Sequence, residues 1–342
     1  MLRNALAGLS LLALAGSVAA CGSNSTSGNG GGSGSGPNAG QTINLVAYST
    51  PEKAYAKLIA AFEQTTAGKG VTVQTSYGPS GSQARAVVAG QPADVVNFSL
   101  EPDMATLVSG GLVSSSWDSG PTQGFVTDSV VVFVVRKGNP KHIESWSDLV
   151  KPGVQVLTPN PFSSGSARWN LVAAYGAALE NGGTATTAKA YLSSLLSHVV
   201  VQDSSASAAL QTFLGGKGDV LLDYEDDAIT AERAGEPIDY VVPAQTILIQ
   251  NPIAVLSSSH SSGATAFLDY LLSTAGQTLW GQLGYRPVLP SVAATFNFPK
   301  PSGLFDISYL GGWSKVKSEF FDPSTGIVTQ IEQHLGVSTS SG

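Results

Sequence analysis

The stretch Asn160-Pro161-Phe162-Ser163-Ser164-Gly165-Ser166-Ala167-Arg168-Trp169 carries residue types suited to holding an anion. A strand-like run over 154–158 leads into it, and a helix-like run over 168–176 leads out. A Ser/Gly turn at such a junction leaves backbone N–H groups without intrahelical acceptors. The helix dipole adds partial positive charge at the same place. The plainer reading is that Ser163 or Ser164 caps the helix. Three further junctions have the same chemistry: Ser49-Thr50, Ser80-Gly81-Ser82 and Ser204-Ser205-Ala206. One such junction says little. Four at the same end of their strands converge on one site, where open α/β sheets bind ligands.

Other chemistries find less support. His142, His198, His260 and His334 fall in unrelated segments, without metal-ligand spacing, so neither a metal nor another cofactor is expected. Gly78-Pro79-Ser80-Gly81-Ser82 lacks the last glycine of a nucleophile elbow. Ser314-Lys315-Val316-Lys317 spells Ser-x-x-Lys outside any matching context, and Leu214–Gly218 lacks the Ser/Thr that follows the lysine of a phosphate loop. The acid-rich run Asp223–Asp227 could supply paired carboxylates for glycoside hydrolysis. A solvated first helical turn, favoured by the dipole, is the simpler reading. Asp203, Asp223 and Glu225 are read likewise as solvent-facing or structural. Trp169 reads as a core residue at a helix start. A secreted hydrolase therefore stays a remote rival, and no enzymatic turnover is expected.

The elements that must position these residues come from 342 residues, enough for two domains. Lys+Arg is 17 against Asp+Glu 24, a net charge of −7, with no basic stripe, so nucleic acid is an unsuitable partner. Any anion site must then be built from local dipoles. Residues 1–20, with Arg3 and an apolar run over 9–15, read as a signal peptide ending in Val18-Ala19-Ala20. The single cysteine, Cys21, follows directly and resembles the lipidated residue of a bacterial lipobox. Residues 21–42 then read as the lipidated cysteine and a flexible Gly/Ser linker, which would hold the protein at the outer face of the cell membrane.

From Ile43 on, strand-like and helix-like runs alternate, predicting an α/β protein with a mostly parallel sheet and helices on both faces. The apolar run over 130–136 predicts a central strand. The runs over 247–250 and 253–256 read as two separate strands. Connections near Val130 and Pro252 predict two lobes, residues 43–131 plus 253–342 and residues 132–252, with a cleft between them.

These segments resemble the sulfate-binding protein family, the substrate receptors of sulfate/thiosulfate ABC importers. The matching stretches are Ser76–Arg85, Ala93–Val96, Val135–Lys141, Gly218–Glu225 and Gly311-Gly312-Trp313. The signature Asn-Pro-Lys-Ser/Thr-Ser-Gly-x-Ala-Arg falls on Asn160–Arg168. The resemblance implies a two-lobed periplasmic-binding-protein (type II) fold, acting as a monomer and delivering its anion to an ABC permease. It implies ligand contacts from the Ser80 hydroxyl, the Ser164 hydroxyl and N–H, the N–H groups of Gly165, Ser166 and Ala206, and the Tyr224 side chain, with Ser49 lining the site. Arg85 and Arg168 become supports of the loops rather than contacts. Three positions depart from the family: Phe162 replaces the signature lysine, Tyr224 an indole, and Ser49 an acid. Neutral donors suit sulfate, which offers only acceptors, and each such bond contributes about 1.5–3 kcal/mol. Hydrogen phosphate needs an acceptor as well. Sulfate, thiosulfate, molybdate and phosphate remain the candidates at this point.

Overall fold

The computed structural model describes residues 36–339. The signal segment, Cys21 and most of the linker lie outside the described residues. Residues 36–41 do not behave as linker. Gly36 N–H donates to the Lys69 carbonyl, buried Asn38 donates to the Ala67 carbonyl, and Gln41 bonds to Ser262. The ordered body therefore begins ahead of Ile43, because these polar groups find partners in the loop around Ala67–Lys69 and at the start of the helix Ser262–Leu272.

The first group of strands is β1 (Thr42–Tyr48), β2 (Thr72–Gly78) and β3 (Val95–Asn97), with β1 parallel to both neighbours. Then follow β4 (Phe125–Arg136), β5 (Val156–Leu157), β6 (Val199–Val201), β7 (Val220–Tyr224), β8 (Ile238–Val241) and β9 (Gln245–Val255). Two short strands, β10 (Arg286–Pro287) and β11 (Gly303–Phe305), were not legible in the sequence. The path of the sheet is β2-β1-β3-β9-β4-β7-β5-β6. It is mixed rather than mostly parallel, since β9 runs antiparallel to β3 and β4, and β4 antiparallel to β7 and β8.

Two long strands join the halves. β4 pairs with β9 along its first half and with β7 along its second. β9 is one continuous strand, not two. Pro252 stands where it changes partner from β4 to β3, a place where the missing N–H costs the ladder little. The same place carries a register shift at Phe125/Thr127.

Each half of the sheet is covered on both faces. Along β4, Val131, Phe133 and Val135 join one buried cluster while Val130, Val132 and Val134 join another, the two-residue alternation of a strand. In the other half, Ile43, Leu45 and Ala47 of β1 face the cluster around Tyr55, Phe62 and Trp280, and Val46 faces Phe98 and Met104. The C-terminal helices Gly312–Phe321 and Ile327–His334 pack mainly with the second half, the former also touching the helix Glu101–Ser109 of the first. Trp313 meets Trp169 edge-on at 4.6 Å, Phe320 meets Tyr175 at 4.8 Å, and Gln202 donates to Glu332 at 2.7 Å. Part of the region read as lobe I thus covers lobe II.

Candidate functional site

Where the two halves meet lies a small cavity of about 10 Å³. Its lining includes Tyr48, Ser49, Thr50, Pro79, Ser80 and Ser99 from one side and Ser164, Gly165, Ser166 and Ala206 from the other. Six of the seven residues expected at the site therefore share one cavity, and none of the lining residues is charged. The seventh, Tyr224, is fully buried and stands behind the lining, its hydroxyl 2.7 Å from that of Ser99.

Three helix starts aim at this space. The helix Gly165–Glu180 begins after Ser164, and no side chain caps its first N–H groups. The helix Ser80–Val88 begins after Pro79, which fixes the chain direction and donates nothing. The helix Ala206–Leu214 begins after Ser205, whose hydroxyl accepts from Ala208 N–H and leaves that of Ala206 to the cavity. None of the three has an acidic residue in its first turn. Small residues let the starts come close. A Cβ on Gly165 would lie 2.6 Å from Ser99 Oγ, and one on Gly81 would lie 3.3 Å from the Ser163 carbonyl oxygen.

Two expected donors are already engaged. Ser80 Oγ donates to Asp103 at 2.6 Å and accepts from Ser99 N–H at 2.9 Å. Ser164 N–H donates to the Asn160 carbonyl at 2.9 Å, while its hydroxyl pairs with that of Ser166 at 2.8 Å. At these two serines the donors still open to a ligand are thus the Ser80 N–H and the hydrogen left over by the Ser164–Ser166 pair.

Arg85 and Arg168 stand outside the lining. Arg168 holds the Pro161 carbonyl at 2.8 Å and lies over the Phe321 ring. Burial raises the Asp103 carboxyl above its ordinary range, and Arg168, the Ser80 hydroxyl and Arg85 pull it back. Trp169 is buried and also donates to the Ser99 carbonyl at 2.8 Å. Phe162 packs into the core, so its position brings no charge near the anion.

The acid-rich run departs most from expectation. Glu225, Asp226 and Asp227 form the first turn of the helix Glu225–Arg233 and are buried, as is Asp223. Asp226 accepts from Ser129 at 2.5 Å, Asp227 from Thr50 at 2.9 Å, and Glu225 is paired with Arg286 at 2.6 Å. Burial raises Asp223, Asp226 and Asp227 well above the ordinary carboxylate range, and their mutual repulsion adds to it. Asp203 is half-buried and accepts from Thr212. Among the described residues no group of acids and histidines is arranged to hold a metal.

A cleft between two α/β halves, joined by two antiparallel strands and floored by helix starts, defines a solute-binding protein. Residues 43–286 match the family model for bacterial extracellular solute-binding proteins. The chain is 38% identical over 319 residues to a sulfate-binding protein of Synechococcus elongatus, covering 89% of each. It is 35% identical over 310 residues to a thiosulfate-binding protein of Pseudomonas aeruginosa, covering 86% of this chain and 93% of that one. The solved sulfate-binding protein SubI of Mycobacterium tuberculosis superposes with a TM-score of 0.80 at 47% identity, over 82% of this chain and all of that one. The chain belongs to the sulfate-binding protein family.

Proposed function

We propose that the protein is an extracytoplasmic receptor that closes on sulfate, or thiosulfate, and hands it to the permease of an ABC importer. Its ligand set is Ser80, Ser164, Gly165, Ser166, Ala206 and Ser49, with Tyr224 behind the lining and Arg85 and Arg168 holding the loops. The observation that carries this reading is a cavity without a charged residue, met by three helix starts that lack acids of their own. A fully ionised tetrahedral anion supplies the negative charge those dipoles lack. The lobes are residues 43–131 with the chain after 253, and residues 132–252, the C-terminal helices riding on the second. Lipidation of Cys21 would keep a monomeric receptor at the membrane, and its action is binding without turnover.

Isothermal titration of the purified protein against sulfate, thiosulfate, molybdate and phosphate tests the reading. Heat with sulfate or thiosulfate, displaced poorly by phosphate, is the expected result. No heat and no thermal shift at millimolar sulfate would defeat it. For the anchor, Cys21→Ser should release the protein from membranes into the soluble fraction, and unchanged membrane retention would refute lipidation at that residue.

A further inference from the structure

Ser99 is a cavity residue whose main chain is fully spent. Its N–H donates to Ser80 Oγ at 2.9 Å. Its carbonyl accepts from Trp169 Nε1 at 2.8 Å and from Asn251 Nδ2 at 3.0 Å, which uses both lone pairs. Only its hydroxyl is left for a ligand, and across the cleft stands Gly165, the first residue of a helix start, where a Cβ would come within 2.6 Å of that hydroxyl.

That hydroxyl lies 2.7 Å from the Tyr224 hydroxyl. Two hydroxyls in contact share one hydrogen, and the other must point elsewhere. The Asn251 amide decides which. Its Oδ1 accepts from Thr127 Oγ1 at 3.2 Å, so its NH2 group donates to the Ser99 carbonyl, and from beside the Tyr224 hydroxyl it pulls that group's burial-raised pKa down, as a neighbouring donor does. An NH2 group cannot accept, so the Tyr224 hydrogen has no place there. It goes to Ser99 Oγ, and the Ser99 hydrogen goes into the cavity.

Resting on the oxyanion-receptor reading above, we propose that Ser99 donates the hydroxyl hydrogen bond to the anion, with Tyr224 and Asn251 as its positioning residues. The directed chain Thr127 to Asn251 to Tyr224 to Ser99 ends in a donor. A tyrosine hydroxyl by itself can donate or accept. Locked behind Ser99 it offers the ligand no acceptor, which disfavours an oxyanion that carries a proton. Ser99 thereby takes up the ligand contact expected of Tyr224.

The test is a double-mutant cycle read by titration at about pH 8, where phosphate is mostly the monohydrogen dianion. Ser99→Ala should weaken sulfate binding about tenfold or more, and Tyr224→Phe by a smaller factor. In the Ser99→Ala background Tyr224→Phe should change nothing further, the signature of a residue acting through another. Tyr224→Phe should also lower the preference for sulfate over hydrogen phosphate, because Ser99 Oγ is then free to accept, a change that a merely structural loss would not produce. Should Ser99→Ala fail to fold, Ser99→Cys keeps the bulk and replaces the hydroxyl with a weak donor, and the same loss is expected. A folded Ser99→Ala or Ser99→Cys protein with unaltered affinity would overturn the assignment. So would a Tyr224→Phe penalty of equal size in both backgrounds, or an unchanged anion preference. An unaltered protein that binds no oxyanion would instead bring down the functional reading itself.

Discussion

Two kinds of helix start meet at the cleft, and they treat charge in opposite ways. Those at Ser80, Gly165 and Ala206 have no acid in the first turn, while the one at Glu225 has three. The two kinds are in contact. Tyr224, the residue before Glu225, bonds to Ser99 in the cavity lining, and Thr50, also in the lining, donates to Asp227. Every helix start attracts negative charge. At Glu225 the chain supplies that charge itself and restrains it with Arg286, Ser129 and Thr50. At the other three it is left to something that comes and goes. Receptors need the second arrangement, because a dipole satisfied by its own side chain has nothing left to give a ligand.

Making one kind of start resemble the other gives the largest expected effect. Ser166→Asp would put a carboxylate into the first turn of Gly165–Glu180, inside the cavity. The repulsion of a dianion among buried residues should cost more than a hundredfold in sulfate affinity, with folding preserved. Titration and a thermal melt together read this, and affinity within a few-fold of the unaltered protein would show that the anion binds elsewhere. Ser164→Ala is milder. It removes one of the paired hydroxyls and should weaken binding by roughly 1–3 kcal/mol. No change on titration would mean that Ser166 alone supplies that donor.

The difference between the two kinds also marks what the sequence could reveal. Small donors at strand-to-helix junctions are a local signal, and seven residues found by it line one cavity. Ser99 obeys the same rule, between β3 and the helix Glu101–Ser109, and went unrecognised because no glycine or second serine accompanies it. The acids at 225–227 satisfied the dipole rule equally well exposed or buried. Their burial follows from Thr50, Ser129 and Arg286, partners far away in the chain. Nor does local pattern tell that Ser80 spends its hydroxyl on Asp103, or that Trp313 and Phe320 pack on the second half. The α/β class was legible from the alternation of apolar runs. The continuity of β9 was not, since Asn251-Pro252 reads as a break.

Stability across pH probes the acidic side of the comparison. A carboxyl raised in the folded state favours folding below its unfolded value, near 4, and that advantage disappears as pH rises through the folded value. Asp227 is raised by burial and by Asp223, so it holds its proton at pH values where the unfolded chain has lost it. Asp227→Asn, which keeps the shape and can still accept from Thr50, should be more stable than the unaltered protein in alkaline buffer, the advantage vanishing below about pH 4. Equal melting temperatures at both ends would mean that the cluster carries no strain from charge.

Asp128 gives the smallest and best-bounded effect. It lies on β4 opposite Arg286 of β10, with one carboxyl oxygen lacking a partner. Burial pushes it up to about 7, against the pull of Arg286. Its contribution to folding is therefore complete below about pH 4 and drains away between there and about pH 7. Asp128→Asn should match the unaltered protein in acid and exceed it at about pH 8 by on the order of 1 kcal/mol, solvent at the half-buried carboxyl reducing what a fully buried charge would cost. Because Asp128 is outside the cavity lining, sulfate affinity should not move with it. Chemical denaturation at the two pH values, with titration at the higher one, separates the outcomes. An affinity change as large as that of Ser164→Ala would show that charge on β4 reaches the anion, and the division between neutral and acidic helix starts would no longer hold.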